Sequence, residues 1–305
     1  MFKLKSALFI INKFSGGGYR PEVEGRIIEQ CEKLNIESTI EFTQSPGHAT
    51  ELAKDAVKQK LDYVFAVGGD GTVNEVAQGL LGSQVAMGIL PKGSGNGLAR
   101  HLGLHMSFKK SLDIIPFHSE QMIDTLSVNG KLSVNVSGIG FDGHVAGLFA
   151  NKAKRGLVGY AKLVLKEFMS FKSFEAKIGM NGNSFQSKSF IIALANSSQF
   201  GNNARVAPQA SVCDQLMDVC FIQKVPMMQA VGFAQKMFGG NLNHSSFVKI
   251  IKTNRVTIDI DQSIAYHIDG EAMNATDKFI VELKPSSLKV LVPQQSVEQS
   301  KKYPI

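Results

Sequence analysis

The sequence predicts a parallel-sheet α/β domain followed by a mostly antiparallel β domain, a sandwich or a barrel. Three observations carry this. Strand and helix signals alternate through roughly the first 125 residues. From about Gln121 onward, runs of alternating apolar and polar residues take over. Asn129-Gly130 and Asn181-Gly182-Asn183 stand between those runs as turn signals. A βαβα order places a parallel sheet under helices, whereas turn-linked alternating strands build antiparallel layers.

In the first half, the apolar run Ala7–Asn12 is a strand that ends in the loop Lys13–Gly18. Glu22–Leu34 has helical spacing at Val23, Ile27, Ile28, Cys31 and Leu34. Glu37–Thr43 is a strand, Ala49–Lys60 a helix and Tyr63–Val67 a third strand. Gly68-Gly69-Asp70-Gly71-Thr72 follows at once, then a helix over Asn74–Leu81. Val85–Leu90 is a fourth strand, followed by Pro91–Gly97 and a helix near Leu98–Leu102.

In the second half, KLSVNVSGIGF, FEAKIGMNGNSF, KSFIIALANS, MDVCFIQKV, NRVTIDID, KFIVELK and SLKVLV read as strands. Two helical insertions interrupt them, about Leu157–Phe171 and Met227–Phe238. Gln294–Ile305 is polar and is expected to fray.

The chain has 305 residues, 44% of them hydrophobic and 19% charged, which suits a folded protein of about two domains. Its net charge of +7 favours an anionic partner: a nucleotide, a nucleic acid or an acidic membrane surface. No basic patch interleaved with aromatics appears, so nucleic acid is not expected. Cys31, Cys213 and Cys220 form no CxxC pair and fit a reducing compartment. The apolar run from Ala7 to Ile11 is too short for a signal peptide. No apolar stretch approaches the ~18 residues of a membrane span.

Gly68–Thr72 is the sharpest local feature. It follows a buried strand and opens a helix, where unpaired N–H groups and the helix dipole favour an anion. Its glycines allow close backbone approach to phosphates. GxxxxGK[ST] and GxGxxG are both absent from the chain. Gly93-Ser94-Gly95-Asn96-Gly97 is a second glycine-rich loop after a strand, and Asn12–Gly18 a third. Loops at the carboxyl ends of one parallel sheet face one crevice. Ser94 has a hydroxyl to offer a phosphate.

GGDGTVNEV followed by a strand and ILPKGSGNGLAR resembles the diacylglycerol kinase catalytic superfamily, which includes bacterial diacylglycerol-kinase-like lipid kinases and sphingosine kinases. Asn12–Gly16, TQSPGHA from Thr43, SGIGFD from Ser137 and HIDGE from His267 extend the resemblance over nearly the whole chain. GGDGT alone is shared with NAD kinases. Asn74-Glu75, SGNGLAR and the late DGE select the lipid branch.

The resemblance implies a nucleotide-binding α/β domain over 1–125, with 285–305 as a segment that could return to it, and a β-sandwich over 126–284. It implies an ATP-dependent lipid kinase with its active site between the domains. Asn12, Thr43, Gly68, Gly69, Asp70, Gly71, Thr72, Val73, Asn74, Glu75, Gly93 and Ser94 then belong to the ATP side. Asp70 is expected to organise Mg²⁺ and water at the γ-phosphate, and Glu271 to be the general base. A structural metal turn falls on Ser211, Asp214 and Leu216, with the Asp214 carboxylate and two backbone carbonyls as donors.

Three departures stand out, one being that Ser94-Gly95-Asn96 followed by a small residue is closer to sphingosine-kinase-like members. Asn96-Gly97 occupies the place of the Asn-Asp usual in bacterial diacylglycerol kinases, and Gln215 replaces the usual glycine of the metal turn. The expected partners are ATP, a membrane lipid substrate such as diacylglycerol and an anionic membrane surface; a homodimer is left open. The expected location is cytoplasmic with peripheral membrane association. Sphingoid or ceramide kinases, an NAD-kinase-like enzyme and an inert nucleotide or lipid sensor are the alternatives.

On the lipid side, an apolar stretch from Phe141 to Phe168 runs beside Lys152, Lys154, Arg155, Lys162, Lys166 and Lys172, a pattern that suits an anionic bilayer. Met227, Met228, Phe233, Met237 and Phe238 could serve as an adaptable acyl lining. For both segments the competing reading is ordinary core packing with a solvated charged face.

Overall fold

The computed structural model describes residues 4–16, 21–150 and 157–294. The elements of the first half are β1 (Lys5–Ile11), α1 (Glu22–Lys33), β2 (Ile36–Phe42), α2 (His48–Lys58), β3 (Tyr63–Gly68), α3 (Asp70–Leu80), β4 (Ala86–Pro91), α4 (Gly97–His101), α5 (Phe108–Asp113) and β5 (His118–Val128). Then come β6 (Lys131–Ser133), β7 (Val136–Gly140), α6 (Phe141–Ala150), α7 (Leu157–Ser170), β8 (Phe174–Met180), β9 (Asn183–Ser189) and β10 (Ile191–Ala195). The last are β11 (Met217–Ile222), α8 (Ala230–Gly239), β12 (Val248–Thr253), β13 (Arg255–Ile268) and β14 (Glu271–Pro293).

The chain divides into two compact units. Unit 1 is Met1–Thr125, Val212–Asp214 and Pro285–Ile305; unit 2 is Leu126–Ser211 and Gln215–Lys284. Within unit 1 the strands run parallel in the order β4-β3-β1-β2. The late part of β14 joins β4 in parallel through Val290 and Met87. β3 and β4 are buried at every position, as strands covered on both faces must be. β2, at the edge, alternates half-buried and exposed residues. Phe9 and Phe65 stack at 4.5 Å across β1 and β3, and α1 adds Val23, Ile27 and Cys31 to the same core.

Unit 2 is antiparallel, in the order β12-β11-β10-β7-β13-β14, with β8 and β9 paired beyond β13. β13 pairs with β8 over Val256–Ile260 and with β7 at Tyr266 and His267. Between those stretches its register against β14 slips twice. Such bulges bend a strand and let it serve two partners. The core between carries Ile139, Ile178, Leu194, Val219, Ile258 and Val281.

Three elements differ from the expectation. α3 begins inside the glycine motif at Asp70, because Gly69 takes the N-cap with extended φ/ψ and frees the next residues to wind. α6 was expected as the end of a strand, but Gly140 at φ +100 turns the chain and Phe141 starts a helix. In α8 only Phe233 and Met237 pack inward, and Met228, in the turn before α8, is 98% exposed and lines no enclosed pocket. Lys152, Lys154 and Arg155, and the tail from 295 onward, lie outside the described residues. No helix among the described residues is long and apolar enough to cross a membrane.

Candidate active site

In unit 1 the loops after β1, β2, β3 and β4 all leave the carboxyl edge of the parallel sheet. β1 and β3 are neighbours whose crossovers depart in opposite directions, which makes their junction the switch point where ligands bind in such sheets. Asn12 spans that junction. Its backbone N–H donates to the Val67 carbonyl (3.1 Å), and its Nδ2 donates to Thr72 Oγ1 (3.1 Å). Lys92 N–H donates to the Gly68 carbonyl (2.8 Å), extending the β3–β4 pairing into the loops.

The two glycine loops are tied by one carboxylate. Asp70 accepts the N–H of Asn96 on one oxygen (2.8 Å) and the N–H of Gly97 on the other (2.7 Å). Asn96 sits in the left-handed region (φ 51), which asparagine tolerates better than most residues. Its Oδ1 accepts the Gly93 N–H (3.1 Å), and its Nδ2 donates to the Gly93 carbonyl (2.7 Å). The loop is thereby closed on itself and pinned to the start of α3. The loops also touch backbone to backbone: a Cβ on Gly93 would stand 2.5 Å from Gly69 Cα. Only hydrogen at Gly93 permits this approach, whereas a Cβ on Gly69 would stand at a tight 3.2 Å from Gly93 Cα.

The remaining residues predicted for the ATP side have distinct surroundings. Glu75 Oε2 accepts the Ala49 N–H (3.2 Å) in the first turn of α2, so this carboxylate is committed to a helix start. Asn74 is buried and its Oδ1 accepts from Gln78 Nε2 (2.7 Å). Val73 and Gly68 are buried, whereas Gly71 and Ser94 are exposed at the rim. Thr43 N–H donates to the Ile11 carbonyl (3.0 Å), which holds the loop after β2 beside the loop after β1. Lys13 Nζ lies 3.7 Å from the centre of the Phe42 ring and brings a cation to the same edge.

Chemically this edge suits an anion. The first N–H groups of α3 have no carbonyl one turn earlier to bond, and the dipole of this 11-residue helix adds positive potential. Gly71, exposed and with nothing within 4 Å of where a Cβ would stand, leaves backbone open to approach.

In unit 2, β13 and β14 are joined by Asp269-Gly270, with φ of 49° and 91°. Two positive φ values make this a tight hairpin turn of the primed kind. Buried Asp269 accepts Ser133 Oγ–H (2.6 Å), Val134 N–H (2.8 Å) and Asn135 N–H (3.1 Å). Buried His267 accepts the Gly270 N–H on Nδ1 (3.1 Å), while its Nε2 faces Asp142 Oδ2 at 3.4 Å. Glu271, next in the chain, is exposed and its carboxylate has no hydrogen-bond or ion-pair partner among the described residues. Around the predicted metal turn, Asp214 is exposed and Gln215 holds φ 62, the left-handed conformation a glycine would take most easily. No cluster of three His, Cys, Asp or Glu side chains forms a metal cage among the described residues.

Sequence reasoning missed Asn96, Asp142 and His267 as shaping residues. An asparagine between two glycines is a readable left-handed signal, but nothing local links His267 to Asp142, 125 positions earlier. A cavity of about 410 Å³ in unit 1 lies elsewhere, at the amino ends of β1 and β3, lined by Lys5, Tyr63, Ile115, His118 and Leu291 among others. Burial holds the His118 imidazole below its ordinary pKa, against the opposing pull of its bond to the Ile115 carbonyl.

The Diacylglycerol kinase catalytic domain family matches residues 6–128, and the YegS C-terminal NAD kinase beta sandwich-like domain family matches residues 135–292. The chain belongs to this lipid-kinase family. It is 26% identical over 301 residues to the diacylglycerol kinase of Bacillus subtilis (strain 168), covering 97% of this chain and 99% of that one. It is 25% identical over 300 residues to a Klebsiella pneumoniae (strain 342) protein named probable lipid kinase YegS-like, covering 96% and 98%. In fold it is similar to the crystal structure of a diacylglycerol kinase from Bacillus anthracis str. Sterne, with a TM-score of 0.76 at 19% identity over 96% and 98% of the chains. Membership makes the chain a kinase of the lipid-kinase type, with a parallel-stranded first domain and a mostly antiparallel second one.

Proposed function

We propose that this kinase transfers the γ-phosphate of ATP to the hydroxyl of a membrane lipid of the diacylglycerol type. The observation that carries the reading is the pair of glycine loops clamped by Asp70 at the switch point of unit 1. The N–H groups at the start of α3, with Gly68, Gly69, Gly71, Thr72, Gly93 and Ser94, would receive the phosphates. Asn12, Thr43, Val73, Asn74 and Glu75 would hold the shape of that receptor, since their polar and apolar contacts fix the loops around it.

Mg²⁺ would supply charge neutralisation on the transferring phosphoryl group. A site with few protein carboxylates suits it, because Mg²⁺ keeps several waters and binds through one or two carboxylates plus substrate phosphates. Asp70, the first residue of α3, is the carboxylate at hand beside the proposed phosphate site. Glu271 would take the proton from the lipid hydroxyl. Its carboxylate is exposed, and the anchored hairpin limits where it can point. The turn at Ser211, Asp214 and Leu216 would hold a second, structural cation through one carboxylate and two carbonyls, a hard oxygen set. Gln215 already adopts the left-handed φ of that turn, so its side chain does not bar the geometry.

A sphingoid-type acceptor is the second reading, and Gly97 favours it: the place of an acid usual in bacterial diacylglycerol kinases carries none. The test is an assay with radiolabelled ATP and Mg²⁺ against diacylglycerol, sphingoid bases, ceramide and NAD. Label in diacylglycerol supports the first reading. Label only in a sphingoid lipid selects the second, and label only in NAD or in nothing rejects both.

A further inference from the structure

The motif Ser137–Asp142 plays no part in the reaction proposed above, yet Asp142 reaches the hairpin that carries Glu271. β7 and β13 pair Gly138 with His267. Gly140 turns the chain, and the first turn of α6 brings Asp142 back over Gly138. A Cβ on Gly138 would stand 1.7 Å from Asp142 Oδ2, so the carboxylate fills the space a larger residue would take. Gly143 lets α6 lie against β13: a Cβ there would stand 2.3 Å from Tyr266 Cα. Backbone packing therefore sets the carboxylate beside the imidazole. Asp142 Oδ1 accepts the Gly143 N–H (2.9 Å). Oδ2 is buried, has no hydrogen bond among the described residues, and faces His267 Nε2 at 3.4 Å.

A neutral imidazole carries one proton on one of its two nitrogens, and the bond made by the other nitrogen selects which. Nδ1 accepts the Gly270 N–H (3.1 Å), so the proton belongs on Nε2, against Asp142 Oδ2. The opposite tautomer would set two N–H groups against each other at Gly270 and a bare nitrogen against a carboxylate. Water cannot relieve either fault, because His267 is 4% exposed. The Phe200 ring packs against the imidazole with centroids 5.9 Å apart. Gly270 directly precedes Glu271. We infer that Asp142 is a positioning residue: it fixes the Nε2–H form of His267, which holds the Gly270 N–H and so places Glu271. The inference deepens the lipid-kinase reading and rests on Glu271 as base for its effect on rate, but the place of the ring proton does not. Asp142 also lies in the first turn of α6, where an acid stabilises a helix. That role alone would move the melting temperature and leave the ring proton and kcat untouched.

The experiment is nitrogen NMR of isotope-labelled histidine rings in the full chain at about pH 8, where an ordinary imidazole is neutral. It is paired with kcat and KM for ATP, measured with diacylglycerol as acceptor. His267→Asn identifies the ring among the seven histidines. In the wild type Nε2 should carry the proton and Nδ1 none. Asp142→Asn can present an amide N–H to Nε2, so it should move the proton wholly or partly to Nδ1. It should lower kcat severalfold at unchanged KM for ATP. Gly138→Ala displaces the carboxylate without altering it and should do the same; it replaces Asp142→Asn if that variant melts early. In a His267→Asn background, with no ring proton to place, Asp142→Asn should leave kcat within about twofold. A wild-type ring protonated on Nδ1, or on both nitrogens, overturns the inference. So does a wild-type ring pattern in folded Asp142→Asn or Gly138→Ala, or an equal loss of kcat in the His267→Asn background. If the proton moves and kcat does not, Glu271→Gln separates the causes: lost turnover there overturns positioning by Asp142, and full turnover overturns the base assignment alone. Absent transfer from the wild type to diacylglycerol overturns that acceptor alone, and the ring signals then decide the inference.

Discussion

Asp70 and Glu271 are both acids at the first position of a regular element, just after a tight turn, yet their surroundings are opposite. Asp70 gives both oxygens to backbone N–H groups and closes one loop onto another. Glu271 is exposed, and the work of holding its turn falls to its neighbours Asp269 and His267. A carboxylate that must shape a receptor is fixed by donors, whereas one that must accept a proton needs its lone pairs open. The first arrangement ties an acid to stability, and the second detaches it.

The largest effect should separate them on activity. Glu271→Gln should lower lipid phosphorylation by about 10²–10⁴-fold, the usual contribution of a general base, with ATP affinity and melting temperature unchanged. Wild-type turnover in that variant would remove Glu271 from the chemistry. Asp70→Ala should act on both axes: turnover falls, and unfolding in urea shows a loss of about 2–3 kcal/mol from two N–H groups that lose a charged acceptor. An unshifted urea midpoint would mean that the clamp contributes nothing to the fold.

Gly93→Ala tests the same clamp without touching charge. Its Cβ would meet Gly69 Cα at 2.5 Å, so the loops must part, at about 1–3 kcal/mol and with a raised KM for ATP. On the hairpin side, His267→Asn keeps an acceptor where Nδ1 receives the Gly270 N–H, and His267→Gln places its amide farther out. The asparagine variant should retain kcat and the glutamine variant lose it severalfold, at equal KM for ATP. Equal kcat in the two would show that the turn needs no such acceptor.

The smallest effect is one of pH. His118, in unit 1, has its folded pKa held below the ordinary imidazole value by burial. The unfolded chain therefore binds the proton more readily, and stability present above the unfolded pKa of about 6.5 is lost as pH falls below it. His118→Phe should flatten that slope in an acid titration of the melting temperature. An unchanged slope would assign the acid sensitivity to other groups.

Much of this was readable along the chain. The βαβα rhythm, the apolar strands and the glycine loops after β3 and β4 follow from local pattern, because period and turn chemistry are properties of a few adjacent residues. The helical start at Asp70 and the helix at Phe141 were misplaced, since glycine-rich stretches carry little periodicity and their conformation is imposed by neighbours. The roles of Asn96, Asp142 and His267 were invisible for a related reason. Each depends on a partner supplied by another loop or strand.

By itself the sequence determined most of the element types, the positions of the phosphate-suited turns and the kinase family, for these are written in spacing and motif. The tertiary structure alone decided which carboxylate is clamped and which is left open. That depends on which distant N–H groups the fold brings to each oxygen, and no local pattern encodes it.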